Sequence, residues 1–349
     1  MKSSEAAENR ESDAFPQNDN DNAPHKVDDF RKLRGILSRS RTRDVYCRST
    51  LYFAFTGRGT VWTVRHGDDY LVLVRHPNMI GVLLVFFPFI SDAIDLVEQV
   101  EALYNCKSFL KQFQEVLLAR IPESLATEFE IKAVGHNRLD CRLKVVDETK
   151  LDWAYPSYDV CLERLINPEG GRLRTYRKKV GKFSDYGMET IGLRALDRQE
   201  WRNAVSQVNT SWIQSKLRND QSLQNLGIPL RDLKDPYEAL ARLYGDITLE
   251  MDGLILKRKG AYVAFSLWER PRKGDIVPCM AALPRSYERG LSEYLYRCIA
   301  HRLRSDGYRR MCIGGSETAG LDQFKRKLDP IDTHKLRTIR VLSRDQATF

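Results

Sequence analysis

Residues 281–330 read AALPRSYERGLSEYLYRCIAHRLRSDGYRRMCIGGSETAGLDQFKRKLDP. A strand pattern, DIVPCMAAL (275–283), runs into a loop, and Arg289-Gly290-Leu291-Ser292 opens an amphipathic helix within residues 286–308. A second strand, YRRMCIGG (308–315), stops on paired glycines, and LDQFKRKL (321–328) is again helical. Glycine at a strand end permits backbone shapes closed to other residues and leaves room for a ligand. A glycine-marked helix start also presents free N–H groups and a positive dipole end to a phosphate. This stretch therefore predicts strand, helix, strand, helix, with two places where a substrate could approach the backbone.

Working outward, LEMDGLILKRKGAYVAFSLWER (249–270) is a hairpin turning at Arg258-Lys259-Gly260, and HKLRTIRVL (334–342) is a closing strand. EGGRLRTYRKKVGKF (169–183), EWRNAVSQVNTSWIQSK (200–216) and DPYEALARLYG (235–245) have helical spacing. Helices, a hairpin, then alternating strands and helices predict a mixed α/β sheet. The first half follows a similar order. GTVWTVRHGDDYLVLVRHP (59–77) predicts a hairpin around His66-Gly67-Asp68-Asp69, and residues 79–88 a buried strand. ISDAIDLVEQVEALY (90–104) predicts a helix capped by Ser91, burying Ile94, Leu96, Val97, Val100 and Leu103. SFLKQFQEVLLARI (108–121) reads as a second helix stopped near Pro122, followed by strands in EFEIKAV (128–134) and RLDCRLKVV (138–146).

Element order thus predicts two α/β units, at 44–168 and 169–349, behind a tail and linker at 1–43. Residues 1–29 carry three basic and eight acidic side chains and few large apolar ones, the composition of a disordered tail. FRKLRGILSRSRTR (30–43) holds six basic residues and no acid; its spacing admits a basic amphipathic helix or a solvated linker.

The chain has 349 residues and a net charge of +9, so the body after the acidic tail carries about +14. A basic body suits polyanionic partners. GGRLRTYRKKVGKF (170–183) concentrates that charge: Arg174, Lys178 and Lys182 fall at i, i+4 and i+8, with Arg177 beside them and aromatics at Tyr176 and Phe183. Such a stripe would track a phosphate backbone, as of tRNA. The seven cysteines form no CxxC pair and no Cys/His cluster of zinc-ligand spacing, so no metal is expected and the pattern is that of a reduced, cytoplasmic protein. The longest apolar run, MIGVLLVFFPFI (79–90), is too short for a bilayer span of about twenty residues. The six histidines are isolated, and His301, on the amphipathic helix, reads as structural; Trp212 and Trp268 read as core or pocket walls.

The order of elements resembles the GNAT acyltransferase fold. Residues 155–345 resemble its branch of Fem-type peptidoglycan aminoacyltransferases and phosphatidylglycerol lysyltransferase C-terminal domains. The matching stretches are YPSYDVCLERLINPEGGRLRTYRKKVGKF (155–183), AYVAFSLWE (261–269) and residues 290–330, with their Gly-Gly and Phe-Lys. The resemblance implies a tandem GNAT-like protein that transfers an acyl group, from aminoacyl-tRNA or acyl-CoA, to an amine or hydroxyl. The acceptor would be a small molecule, a peptide or a lipid head group, and no cofactor is permanently bound. It implies a donor and substrate site made by Gly314, Gly315, Ser316 and Phe324, with Arg289, Gly290 and Ser292 at the phosphate end. Lys325 matches the family's substrate-site lysine and would stabilise the oxyanion. Glu317 is the best-placed carboxylate for a general base and Asp252 a poorer one. Ala281-Ala282 stand where relatives carry charged residues or histidine, and Tyr287 where the pyrophosphate signature has Arg or Gln. Both departures weigh against acyl-CoA and against lipid lysylation, and leave a third reading, a non-catalytic RNA- or partner-binding protein of the same fold.

Overall fold

In the computed structural model the described residues are 23–77, 79–135, 141–146, 154–183, 186–219, 237–239, 241–244, 246, 249–271, 274–286 and 288–343. The tail before residue 23 and Tyr287 lie outside them.

The first hairpin forms where its turn chemistry places it. Strand β2 (Val61–His66) turns through Gly67, at φ +60°, into β3 (Asp69–Arg75). Strand β4 (Val82–Phe86) is buried along its whole length, which suits an inner strand covered on both faces. Helix α3 (Ala93–Tyr104) is capped by Asp92 rather than Ser91: the Asp92 carboxylate accepts from the N–H groups of Ile94 and Asp95. Of the expected stripe, Leu96, Val97, Val100 and Leu103 are buried and Ile94 is 55% exposed.

The next two elements reverse the expectation. Only Lys107–Leu110 is helical (α4), and Glu115–Pro122 is a strand, β5, parallel to β4. EFEIKAV then belongs to helix α5 (Glu123–Gly135). An apolar run interrupted only by Arg120 fits a buried strand or a buried helix equally by periodicity, and the pairing with β4 decides it. Strand β6 (Cys141–Val146) follows as expected.

Residues 25–37 join the folded body. Strand β1 (His25–Lys26) pairs with β2, and helix α1 (Phe30–Leu37) buries Phe30, Leu33, Ile36 and Leu37. Of the two readings of 30–43, its first eight residues take the helical one. Helix α2 (Thr50–Thr56) follows.

In the second half, β7 (Ser157–Cys161), α6 (Leu162–Ile166), α7 (Arg174–Gly181), β8 (Met188–Gly192) and α8 (Arg198–Asn219) precede the hairpin β9 (Met251–Arg258) and β10 (Ala261–Glu269). Then come β11 (Ile276–Pro284), α9 (Leu291–Ser305), β12 (Arg310–Cys312), α10 (Ala319–Arg326), β13 (Asp332–His334) and β14 (Leu336–Ser343).

Two seven-stranded sheets result, in the orders β1-β2-β3-β4-β5-β14-β6 and β13-β7-β12-β11-β10-β9-β8. Both are antiparallel except for one parallel pair each, β4 with β5 and β11 with β12. The strands do not divide at residue 168. β7 comes from the first half and joins the second sheet, and β14, near the end of the chain, returns to the first. A shared core of Leu51, Phe53, Leu84 and Phe86 with Trp201, Ile255, Phe265 and Leu267 lies between the sheets. Burying one such side chain contributes about 1.5–3 kcal/mol. Separate cores lie under α3 on the first sheet and under α9 on the second.

Candidate functional site

The site begins where β11 and β12 part. Their parallel pairing ends at Pro278 opposite Cys312, although β11 continues to Pro284. Two residues past Cys312, Gly314 takes φ +68° and turns the chain away. Ligands of open α/β sheets sit at such diverging carboxyl ends. Tyr46, from the short 3₁₀ turn Tyr46–Arg48, reaches the gap from the first half. Its hydroxyl donates to the Cys279 carbonyl at 2.8 Å and lies 3.1 Å from that of Cys312. A Cβ on Gly314 would stand 3.0 Å from the Tyr46 hydroxyl and 3.8 Å from Lys325 Nζ, so glycine is required there for space as well as for φ.

Helix α10 delivers Lys325. Thr318 caps it by accepting from the Leu321 N–H at 3.3 Å, and the Phe324 ring packs against Tyr296 at 5.7 Å. Lys325 is 6% exposed, and its ammonium donates to the Gly315 carbonyl. Ser316 is fully buried. Its carbonyl accepts from the Tyr155 N–H at 3.0 Å, and its hydroxyl has no hydrogen-bond partner among the described residues.

The surroundings are largely desolvated. Burial pushes the Cys279 thiol up to about 11, against the pull of the nearby Lys325 charge. Burial also raises Tyr237, helped by the Glu317 carboxylate, and raises Tyr296 well above its ordinary value, helped by Cys279 and Tyr237. The structure therefore gathers Gly314, Gly315, Ser316, Glu317, Phe324 and Lys325 with four residues that the sequence reading missed: Tyr46, Tyr237, Cys279 and Tyr296. Nothing local marks those four, because they reach the site from other elements. An ammonium held in so dry a place acts strongly on any negative charge that develops beside it.

The other expected residues fall elsewhere. Gly290, at φ +103°, is needed for packing: a Cβ there would lie 2.8 Å from the Lys179 carbonyl oxygen and 3.0 Å from the Phe183 ring. The start of α9 is flanked by carboxylates, Glu288 paired with Arg258 and Glu293 paired with Lys179, while Arg289 is exposed and Ser292 half-buried. Those negative charges compete with any phosphate for the helix dipole. On α7, Arg174, Arg177, Lys178 and the capping Lys182 are exposed, whereas Tyr176 and Phe183 are core residues. Arg177 donates to the carbonyls of Pro168 and Gly170, so it also ties down its own loop. Asp252 is fully buried and accepts from Arg270 Nε at 2.8 Å, which engages it as an ion-pair partner. Arg326 pairs with Asp322 at 2.8 Å, and Trp268 is core. A concavity lined by Glu163, Arg164, Glu169, Arg172 and Asp329 shares no lining residue with the Lys325 cluster and mixes both charge signs.

No protein-family model and no curated protein matches the chain. Solved structures do. FemX superposes with a TM-score of 0.56 at 13% identity, covering 92% of this chain and 98% of its own. L-PGS from Bacillus licheniformis gives 0.54 at 14% identity, covering 90% and 91%. The fold is that of the Fem-like GNAT branch. A conserved protein of unknown function from Bacteroides thetaiotaomicron is similar to the same architecture, with a TM-score of 0.62 at 13% identity over 89% of this chain and 95% of that one. At these identities the likeness is one of fold.

Proposed function

We propose that the chain is an acyltransferase that takes an aminoacyl group from aminoacyl-tRNA and delivers it to an amine or hydroxyl acceptor. The observation that carries this reading is Lys325. A buried ammonium stands at the diverging ends of the parallel pair, beside a glycine kink packed on Tyr46 and a buried Ser316 hydroxyl that has no hydrogen-bond partner among the described residues. In the reaction the acceptor attacks the ester carbonyl, the bond to the tRNA ribose breaks, and the acceptor's proton passes to the leaving oxygen. Lys325 would stabilise the negative charge on the carbonyl oxygen during attack, and Glu317, half-buried in the same loop, is the candidate base.

Two observations favour a tRNA donor over acyl-CoA. The carbonyls of Cys279 and Cys312, which an extended acyl-CoA arm would meet at the gap, are already engaged by Tyr46. The helix start that would hold a pyrophosphate is packed by α7 and bordered by Glu288 and Glu293. The exposed basic face of α7 suits an RNA backbone. FemX and L-PGS are the neighbours that make a peptide or lipid-head-group acceptor worth testing. No helix among the described residues is long and apolar enough to cross a membrane.

The test is donor consumption. Purified protein is incubated with labelled mixed aminoacyl-tRNA or with acetyl-CoA, each with a pool of amine and hydroxyl acceptors. Turnover of aminoacyl-tRNA, lowered about 100-fold or more by Lys325→Ala, is expected, because a desolvated charge aimed at an oxyanion contributes on that scale. Turnover of acetyl-CoA would replace the donor assignment. Consumption of neither would leave the binding-protein reading.

A further inference from the structure

A second cluster of chemistry-bearing side chains lies on the other flank of β12. Strand β7 runs between β12 and the edge strand β13, and its Asp159 faces Cys312 on one side and Asp332 on the other. His334, two residues beyond Asp332, shares that face. One ligand atom each from Asp159, Asp332 and His334 lies within 4.8 Å of the others. His334 Nε2 is 3.1 Å from Asp159 Oδ2 and 3.9 Å from Asp332 Oδ2. Donor atoms that share one first-row metal ion, at bonds of about 2.0–2.2 Å, stand roughly 3–4 Å apart.

The His334 imidazole and, more distantly, the Arg310 guanidinium are the positive groups that face these carboxylates. Two carboxylates oppose each other across a strand pair, an arrangement that destabilises the pair unless it is neutralised. Asp159 is 2% exposed, and its Oδ1 has no hydrogen-bond partner among the described residues. A buried carboxylate oxygen left unpaired is costly, and a ligating ion removes that cost. The guanidinium of nearby Arg310 is engaged by Asp275 at 2.7 and 3.0 Å. Asp332 lies on the open rim, its side chain 59% exposed, so water can complete a coordination sphere from that side.

We propose that Asp159, Asp332 and His334 form a binding site for a divalent transition-metal ion of the zinc type, set apart from the Lys325 cluster. One imidazole and two carboxylates are a borderline donor set, which suits zinc or manganese better than magnesium. The ion ties edge strand β13 to β7 immediately before the chain crosses to the first sheet as β14. Its work is to hold that crossover.

The test uses the full chain, stripped with chelator, dialysed and titrated separately with Zn²⁺, Mn²⁺ and Mg²⁺ by calorimetry, with melting temperatures recorded alongside. One equivalent of Zn²⁺ and a rise in melting temperature are expected. Asp332→Asn and His334→Gln should each weaken binding at least about 10- to 100-fold, the loss that even changes in groups supporting a ligand produce. Asp332→Asn lies on the rim and should melt like the stripped wild type, which separates lost binding from lost folding. No stoichiometric ion in the wild type, or unchanged binding in both variants, would overturn the proposal. So would a thiolate-to-cobalt absorption band in the Co²⁺-loaded protein, since it would move the ion to the cysteines.

Discussion

The two sheets part their parallel strands in the same way and fill the gap differently. In the first, pairing of β4 with β5 ends at Val85 opposite Leu118, and two residues later Arg120 sits at φ +57°. In the second, pairing ends at Pro278 opposite Cys312, and two residues later Gly314 sits at φ +68°. Arg120 occupies a conformation that costs a side-chain-bearing residue about 1–2 kcal/mol. Its guanidinium is buried, held by Asp44 at 2.6 and 3.0 Å, and stacked 4.7 Å over the Tyr46 ring. The same tyrosine sends its hydroxyl into the second gap. One kink is thus plugged by an ion pair and braces the other, where glycine makes room for the Tyr46 hydroxyl beside Lys325. The repeated topology thus carries a buried ion pair at one kink and a buried ammonium at the other.

The sharpest way to break this contrast is Arg120→Ala. It leaves Asp44 buried without its cation and should cost about 3–5 kcal/mol in denaturant unfolding. Arg120→Gly, which relieves the backbone, should cost about 1 kcal/mol less. Burial alone would raise the Asp44 pKa, but the Arg120 charge and hydrogen bonds hold it below its ordinary 3.8. The tie is therefore complete above that value and fades as pH falls through the lower folded one. Wild type and Arg120→Ala should accordingly converge in stability in acid, below about pH 4. Gly314→Ala imposes a Cβ on the Tyr46 hydroxyl at an unfavourable φ and should cost about 1–2 kcal/mol, with transfer activity falling alongside. Tyr46→Phe removes the hydroxyl that donates to the Cys279 carbonyl and should cost about 1 kcal/mol in a thermal melt. Gly320→Ala, where a Cβ meets nothing within 4 Å on helix α10, should instead stabilise by about 0.5–1 kcal/mol.

The sequence made one copy far more legible than the other. In the second half, the turn at Lys259-Gly260, the paired glycines and the Phe-Lys helix mark their own positions, and the strands and helices fall where those signals put them. In the first half, Val116–Ile121 carries no period that separates strand from helix, so β5 and α5 were read in reverse. The same ambiguity hid Arg120, because only a strand that bends there gives it a left-handed backbone. The site was legible where one loop and one helix make it, from Gly314 to Lys325. Tyr46, Tyr237, Cys279 and Tyr296 were not, since only tertiary packing brings them in. Asp159 and His334 likewise meet through strand pairing, at no spacing that a motif records.

The crossing of β7 and β14 sets an order on biosynthesis. The first sheet cannot seat a strand between β5 and β6 until the ribosome has made residues 336–343. Until then β5 and β6 present open edges, the kind of surface on which nascent chains pair wrongly. A nascent chain halted after β13 therefore lacks a finished first sheet, although its second sheet has all of its strands.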